Sequence, residues 1–295
     1  MRLSFTPPSS APKSKLLTIE NFAALYGAAE FSLLNGYPLS SHVVINWTAL
    51  GVVDEAQLGA AFLTFTKCLR DFLTRRLVPP LWIYAHERGP KTGWHTHMAT
   101  FLPVETPALR TGCMEWLRGW PIRHTGRRVP HAVRLRVPKD HDPKLHWLIF
   151  NYLTKGYDPA AIVQSGRHAP DGQNIMLGDL IAWPWRDPGV MNMRKRVGYS
   201  QCLGPAAQKA GLPARWTGMR TPQVMMKVFP DSFLSSLPLA APAAFRSTFE
   251  DGCYDVRKLY GDAFAQWMSG APSHATATIV TAGGVDTEDL FPEGI

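Results

Sequence analysis

Two histidines one residue apart, His95 and His97, stand in the stretch LWIYAHERGPKTGWHTHM at 81–98, just after a Gly-Pro-Lys-Thr-Gly loop. The runs LWIYAHE (81–87) and WHTHMATFL (94–102) have strand composition, and the Gly-bounded loop between them predicts a hairpin. Side chains two apart on a strand share a face, so His95 and His97 point one way and Thr96 the other. Closing the hairpin symmetrically about Lys91 sets Glu87 opposite His95 and Ala85 opposite His97. Glu87 then joins the histidines' face, His86 leaves it, and the small Ala85 leaves room beside His97. Two imidazoles and a carboxylate on an open sheet face are an incomplete coordination shell, with positions left for water or a substrate oxygen. The set suits Mg²⁺ or Mn²⁺ acting as a Lewis acid on a phosphate, and Zn²⁺ stays open.

A second pair lies downstream in FNYLTKGYDP, where Tyr152 and Lys155 are three apart on a predicted helix. That spacing separates them by about 60° around the axis, so they share a side. A phenol is a poor nucleophile at its free pKa of ~10. A metal-polarised phosphodiester and a nearby ammonium change this by stabilising the phenolate and the charge of the pentacovalent transition state. Tyr152 is expected to attack the scissile phosphorus and stay covalently attached.

The elements that must position these groups are legible around them. SHVVINWTA (41–49) has β-branched residues at strand density, and Asp54 caps a long amphipathic helix through residue 77. A second helix fits TPALRTGCMEWLRG (106–119), and HAVRLRV (131–137) alternates apolar and basic residues as a half-buried strand does. PKLHWLIFNYLTKG (143–156) reads as a helix with Asp142 as cap, Pro143 at its first position and Gly156 as its stop. The order β-α-β-β-α-β plus a helix predicts an α+β protein of the ferredoxin-like, split βαβ kind: an antiparallel sheet with helices on one face and the other face free for a ligand.

The combination of GWHTHM, an acidic residue on the preceding strand, and YLTK on a later helix resembles the HUH endonucleases. That family comprises rolling-circle replication initiators, relaxases and single-strand transposases. The resemblance spans about residues 40–160. It implies that His95, His97 and Glu87 are metal ligands, that Tyr152 forms a 5′-phosphotyrosine link to DNA, and that Lys155 is the lysine of the initiator tyrosine motif. Histidines ahead of the tyrosine resemble the order in replication initiators and their transposase relatives; relaxases usually have the reverse. Position 96 is Thr where the family has a bulky hydrophobe. Tyr157 is the less favoured nucleophile, because Gly156 separates it from the face that carries Tyr152. No GxxxxGK[ST] occurs, so no ATP-driven helicase is fused, and a host helicase and polymerase are the implied partners.

Composition agrees with a nucleic-acid partner. The chain of 295 residues carries a formal charge of +8. The charge is concentrated: residues 110–146 hold nine Lys or Arg against three acids, and residues 188–230 hold seven against none. Arg194, Lys195, Arg196, Lys209, Arg215 and Arg220 could track phosphates, with Tyr199 and Trp216 offering rings for base stacking. Arg134 and Arg136 share one face of their strand, and the sequence alone does not say whether that face meets DNA. The four cysteines are scattered with no CxxC pair, which argues against a disulfide framework and a zinc finger. No apolar run reaches the ~18 residues of a membrane span and no secretory signal is visible, so a cytoplasmic protein is expected. The organisation read from composition is an arm and lead-in at 1–39, a catalytic domain at 40–160, a basic and mainly helical region at 161–269, and an acidic, disordered tail at 270–295. The expected function is nicking of a single-stranded or hairpin origin to start rolling-circle replication of a plasmid or phage. The alternatives are a transposase with the same chemistry and a non-catalytic nucleic-acid-binding protein on the same scaffold.

Overall fold

In the computed structural model, which describes residues 16–141, 143–164, 172, 174–181, 185–193 and 195–219, the hairpin closes in the expected register. Strands β1 (Ser41–Asn46), β2 (Trp82–Gly89) and β3 (Gly93–Thr100) form its centre, with Glu87 opposite His95, Ala85 opposite His97 and Gly89 opposite Gly93. Gly93 has a φ of 65°, and a Cβ there would run into the Thr48 side chain. That hydroxyl instead accepts the Trp94 N–H at 2.7 Å, so a glycine is what lets the hairpin end pack against the chain after β1.

Strand β1 pairs antiparallel with β3 on one side and with β4 (Val133–Arg136) on the other. A short strand, β5 (Ile162–Gln164), pairs with β6 (Ile175–Met176) in a separate ribbon. Strand β7 (Val197–Tyr199) adds to the outer edge of β2. The main sheet is five-stranded, in the order β4-β1-β3-β2-β7, with every neighbouring pair antiparallel. The protein is therefore α+β.

With α1 (Ile19–Leu34), α2 (Glu55–Thr74), α3 (Pro107–Thr125) and α4 (Pro143–Thr154) so defined, α2 and α3 cover the face that carries Ile45, Tyr84, His86 and Thr96. Trp47 lies edge-on to Phe62, Phe65 and Trp120, and Phe62 meets Tyr84 and His86. Helix α2 starts where Asp54 accepts the Gln57 N–H at 2.8 Å, and its buried Leu58, Phe62, Phe65, Leu69 and Phe72 recur at helical spacing. Helix α3 runs past the expected stop at Gly119, through Pro121, to a left-handed Gly126. Trp120, buried against Trp47 and Phe65, is the packing that carries it on.

The expectation of helices on one face and a free opposite face is corrected. Helix α4 lies over the face that bears His97, and α1 packs on α4 and along β7. Tyr26 of α1 stacks on Trp147 of α4 at 5.2 Å, and Phe22 meets Phe150 at 5.6 Å. Helix α1 falls in the stretch read as arm and lead-in. Its apolar residues run nearly all round it, as suits a buried helix, so it shows no stripe for sequence periodicity to detect. The region 161–269, read as mainly helical, supplies β5, β6 and β7 as well as the short α5 (Leu177–Leu180) and α6 (Pro205–Ala210). Strands of two or three residues are too short to display a period. Residues 1–15 of the arm and lead-in, the cap at Asp142, residues 220–269 of the basic region and the acidic tail lie outside the described residues. Among the described residues no helix is long and apolar enough to cross a membrane.

Candidate active site

The pleat puts Glu87 of β2 with His95 and His97 of β3 on the sheet face under α4, and all three are buried. One ligand atom from each lies within 4.8 Å of the others, so this group could hold a metal ion. Both Nε2 atoms converge on one carboxylate oxygen: Glu87 Oε2 is 3.4 Å from His95 and 3.6 Å from His97. The other oxygen, Oε1, accepts a 2.6 Å hydrogen bond from the buried Lys155 ammonium. Glu87 is thus divided between a fixed cation on one side and two imidazoles on the other.

The outer contacts of the imidazoles fit a cation. His95 Nδ1 is 3.0 Å from the Gly93 carbonyl, which can only accept, so the neutral ring carries its proton there and turns an Nε2 lone pair toward Glu87. A lone pair facing a carboxylate oxygen is favourable when a cation or proton lies between them. A divalent ion held by His95, His97 and Glu87 would supply Lewis-acid polarisation of a bound phosphate oxygen.

Electrostatics hold Glu87 and His97 in the protonation states a cation requires. Burial pushes the Glu87 carboxyl up, but the Lys155 ammonium, His97 and the histidine hydrogen bonds outweigh it and hold the group well below its usual range. Burial, helped by the Lys155 charge, takes His97 down to about 3. The neighbouring His42 is lowered well below its ordinary value, first by burial and then by His97 and Lys155. Burial also lowers Lys155, opposed by its pairing with Glu87. Ionised carboxylate and neutral imidazole are the forms a cation needs.

The buried histidines also make a prediction for stability. His86, His97 and His146 are each pushed down to about 3, in every case chiefly by burial. A depressed folded-state value means the contribution to stability is full above the unfolded value of ~6.5 and is lost as pH falls toward the folded one. Each such histidine then costs up to about 1.4 kcal/mol per pH unit. Urea midpoints measured from pH 8 to pH 4 are expected to hold level above pH 6.5 and fall steeply below it. A level profile down to pH 5 would contradict the burial of these rings.

Tyr152 reaches the site from α4. Its ring is buried edge-on to His97, with centroids 4.9 Å apart, and the Lys155 ammonium lies 3.8 Å from its centroid. Lys155 therefore stands over the ring face and on Glu87. Tyr157 belongs elsewhere: its ring packs against Gly178 and its backbone bridges to Leu17. Trp94, on the face of β3 opposite the histidines, is buried with its indole N–H donated to the Val53 carbonyl.

The basic residues divide. Arg134 lies opposite Val44 and Arg136 opposite His42, so both share the face of His97, are half-buried, and make no ion pair among the described residues. Lys195, Lys209 and Arg215 are exposed, and Arg194 and Arg220 lie outside the described residues. Arg196 is a correction: it is buried and donates to the His86 and Gly156 carbonyls, tying the end of α4 to β2. Its guanidinium satisfies backbone acceptors in the interior, so it does not track a solvent-exposed phosphate chain. Trp216 is also corrected, being buried in the core with its carbonyl bound to the Tyr37 hydroxyl. Tyr199 is half-buried on the edge strand.

Sequence reasoning missed His42 and the interior role of Arg196. His42 enters only when β1 pairs with β3, which sets it opposite Ala99 and diagonal to His97. No local spacing links a residue at 42 with one at 97. No protein family, curated protein or solved structure matches this chain in comparisons with all three.

Proposed function

We propose that this protein is a metal-dependent, tyrosine-dependent single-strand DNA endonuclease and strand transferase of the HUH type that initiates rolling-circle replication of a plasmid or phage. The observation that carries the reading is the meeting of Glu87, His95 and His97 with the Tyr152 ring in one buried cluster. The strand order β4-β1-β3-β2, with α2 and α3 as crossovers, supports the ferredoxin-like scaffold that the resemblance implies.

In this reading the Tyr152 oxygen gives up its proton and attacks the scissile phosphorus. The bond to the 3′-oxygen breaks, that oxygen leaves as a 3′-hydroxyl, and the 5′-phosphate stays on the tyrosine. A later attack by a 3′-hydroxyl reverses the step and circularises the strand, so the phosphodiester energy is conserved and no ATP is consumed. The Lys155 ammonium offsets charge at the phenol and holds Glu87 in place. A host helicase and polymerase would act on the nicked strand in the cytoplasm.

Arg134 and Arg136 both lie on β4, two strands away from β3, roughly 10 Å at sheet spacing. They suit phosphates flanking the scissile one. Replacing both by Ala is expected to weaken single-strand binding and to lower the slope of log affinity against log salt by about 1.4, near 0.7 per phosphate contact. An unchanged slope in a salt titration would remove them from the DNA path.

The test of the function is incubation of the full chain with pools of labelled single-stranded and hairpin DNA, with Mn²⁺ or with EDTA, read on a denaturing gel. A protein-DNA adduct formed only with Mn²⁺ is the expected result. The second reading is a non-catalytic nucleic-acid-binding protein, favoured by the Lys155–Glu87 pair, which balances the carboxylate charge without a bound ion. It requires tight binding, equal with Mn²⁺ and EDTA, and no adduct. Transfer restricted to the ends of a mobile element would make the enzyme a transposase instead.

A further inference from the structure

Three histidines besides the paired ones are buried in the described core near the sheet, and their partners differ. His86 Nδ1 is 2.6 Å from the Thr96 hydroxyl, and His146 Nδ1 accepts the Leu39 N–H at 2.8 Å. Both are tied to scaffold groups. His42 instead has its Nε2 3.3 Å from Nδ1 of His97, with the two rings stacked at a centroid distance of 5.4 Å and 16° between planes. The same His42 ring meets Tyr152 edge-on at 5.5 Å.

We propose that His42 is a positioning residue of the site: it holds His97 in the tautomer that presents Nε2 to a cation, and it fixes the Tyr152 ring beside that ligand. The inference rests on the metal-site reading above. A neutral imidazole has one donor and one acceptor nitrogen. For His97 to offer a lone pair at Nε2, on the side facing Glu87 Oε2, its proton must sit on Nδ1. The atom facing Nδ1 must then accept, and His42 Nε2 does so with its own proton on Nδ1. Local packing permits the contact. His42 stands opposite Ala99, whose small side chain leaves space on the sheet face for the ring to lean toward His97. One imidazole therefore touches both a metal ligand from β3 and the phenol from α4.

The test uses the full chain and Mn²⁺ alone as probe, with DNA omitted. Isothermal titration is expected to show saturable Mn²⁺ binding to wild type, a dissociation constant raised about 10–100-fold in His42→Leu, and recovery close to wild type in His42→Gln, whose amide oxygen can accept in place of Nε2. A volume-only role would weaken Leu and Gln alike, and that outcome overturns the proposal, as does unchanged affinity in a folded His42→Leu. If His42→Leu does not fold, nitrogen-15 shifts of the wild-type imidazoles decide: a proton on His97 Nδ1 supports the proposal and one on Nε2 overturns it. Wild type that takes up no Mn²⁺ would instead sink the metal-site reading, a result distinct from any difference between variants.

Discussion

Phenylalanine in place of Tyr152 is expected to abolish the covalent DNA adduct while leaving Mn²⁺ uptake and the fold intact. The change removes one oxygen and keeps the ring. The edge contacts with His97 and His42 and the ammonium over the ring face all belong to the ring itself. Loss of adduct would therefore report loss of the nucleophile. Where a covalent nucleophile is removed from an enzyme that works through it, rates fall on the order of 10⁶-fold, below what a denaturing gel detects. Tyr157→Phe is the matched control, because that ring packs on Gly178 and is expected to leave the adduct in place. An adduct that survives Tyr152→Phe and disappears in Tyr157→Phe would transfer the chemistry to the other tyrosine.

The second large effect concerns stability. Lys155→Met is expected to cost about 3–5 kcal/mol, because it strands the Glu87 carboxylate in the interior without its charge partner. For a domain of this size that corresponds to roughly 6–20 °C in the thermal midpoint. Without the ammonium, burial alone pushes the Glu87 carboxyl up, so the penalty is largest above the ordinary carboxylate range and shrinks as acid protonates the group. Adding Glu87→Gln should return most of the loss, since an amide needs no counter-charge. Mn²⁺ should also raise the midpoint of the single variant by supplying a cation at Oε2. Thermal melts of the two variants with and without Mn²⁺ make the check. A single variant that melts within 2 °C or so of wild type would mean that water reaches Glu87 and screens it.

The hairpin and its consequences were legible because they are local. A short loop with Gly89 and Gly93 at its ends leaves few ways to close, and a period of two then assigns His95, His97 and Glu87 to one face and His86 and Trp94 to the other. Helix α2 was legible for the same reason: Asp54 caps it and its apolar residues recur at helical spacing. Helix α1 was not, since an apolar surface all round carries no stripe. The short β7 was not either, because three residues carry no period. Arg196 looked like its neighbours in the basic run, and only the packing of β7 against β2 turned it inward onto the carbonyls of His86 and Gly156.

By itself, then, the chain order determined which side chains stand together within one hairpin and which share one side of a helix, since both follow from fixed backbone periods of two and 3.6. Everything that required two distant segments to meet was decided by the tertiary structure. The placement of α4 over the histidines brought Tyr152 to His97 and Lys155 to Glu87. The pairing of β1 with β3 and β4 added His42 and put Arg134 and Arg136 on the same face. Those contacts come from burying the apolar faces of α1, α4 and the sheet against one another, a driving force that depends on area and carries no sequence address.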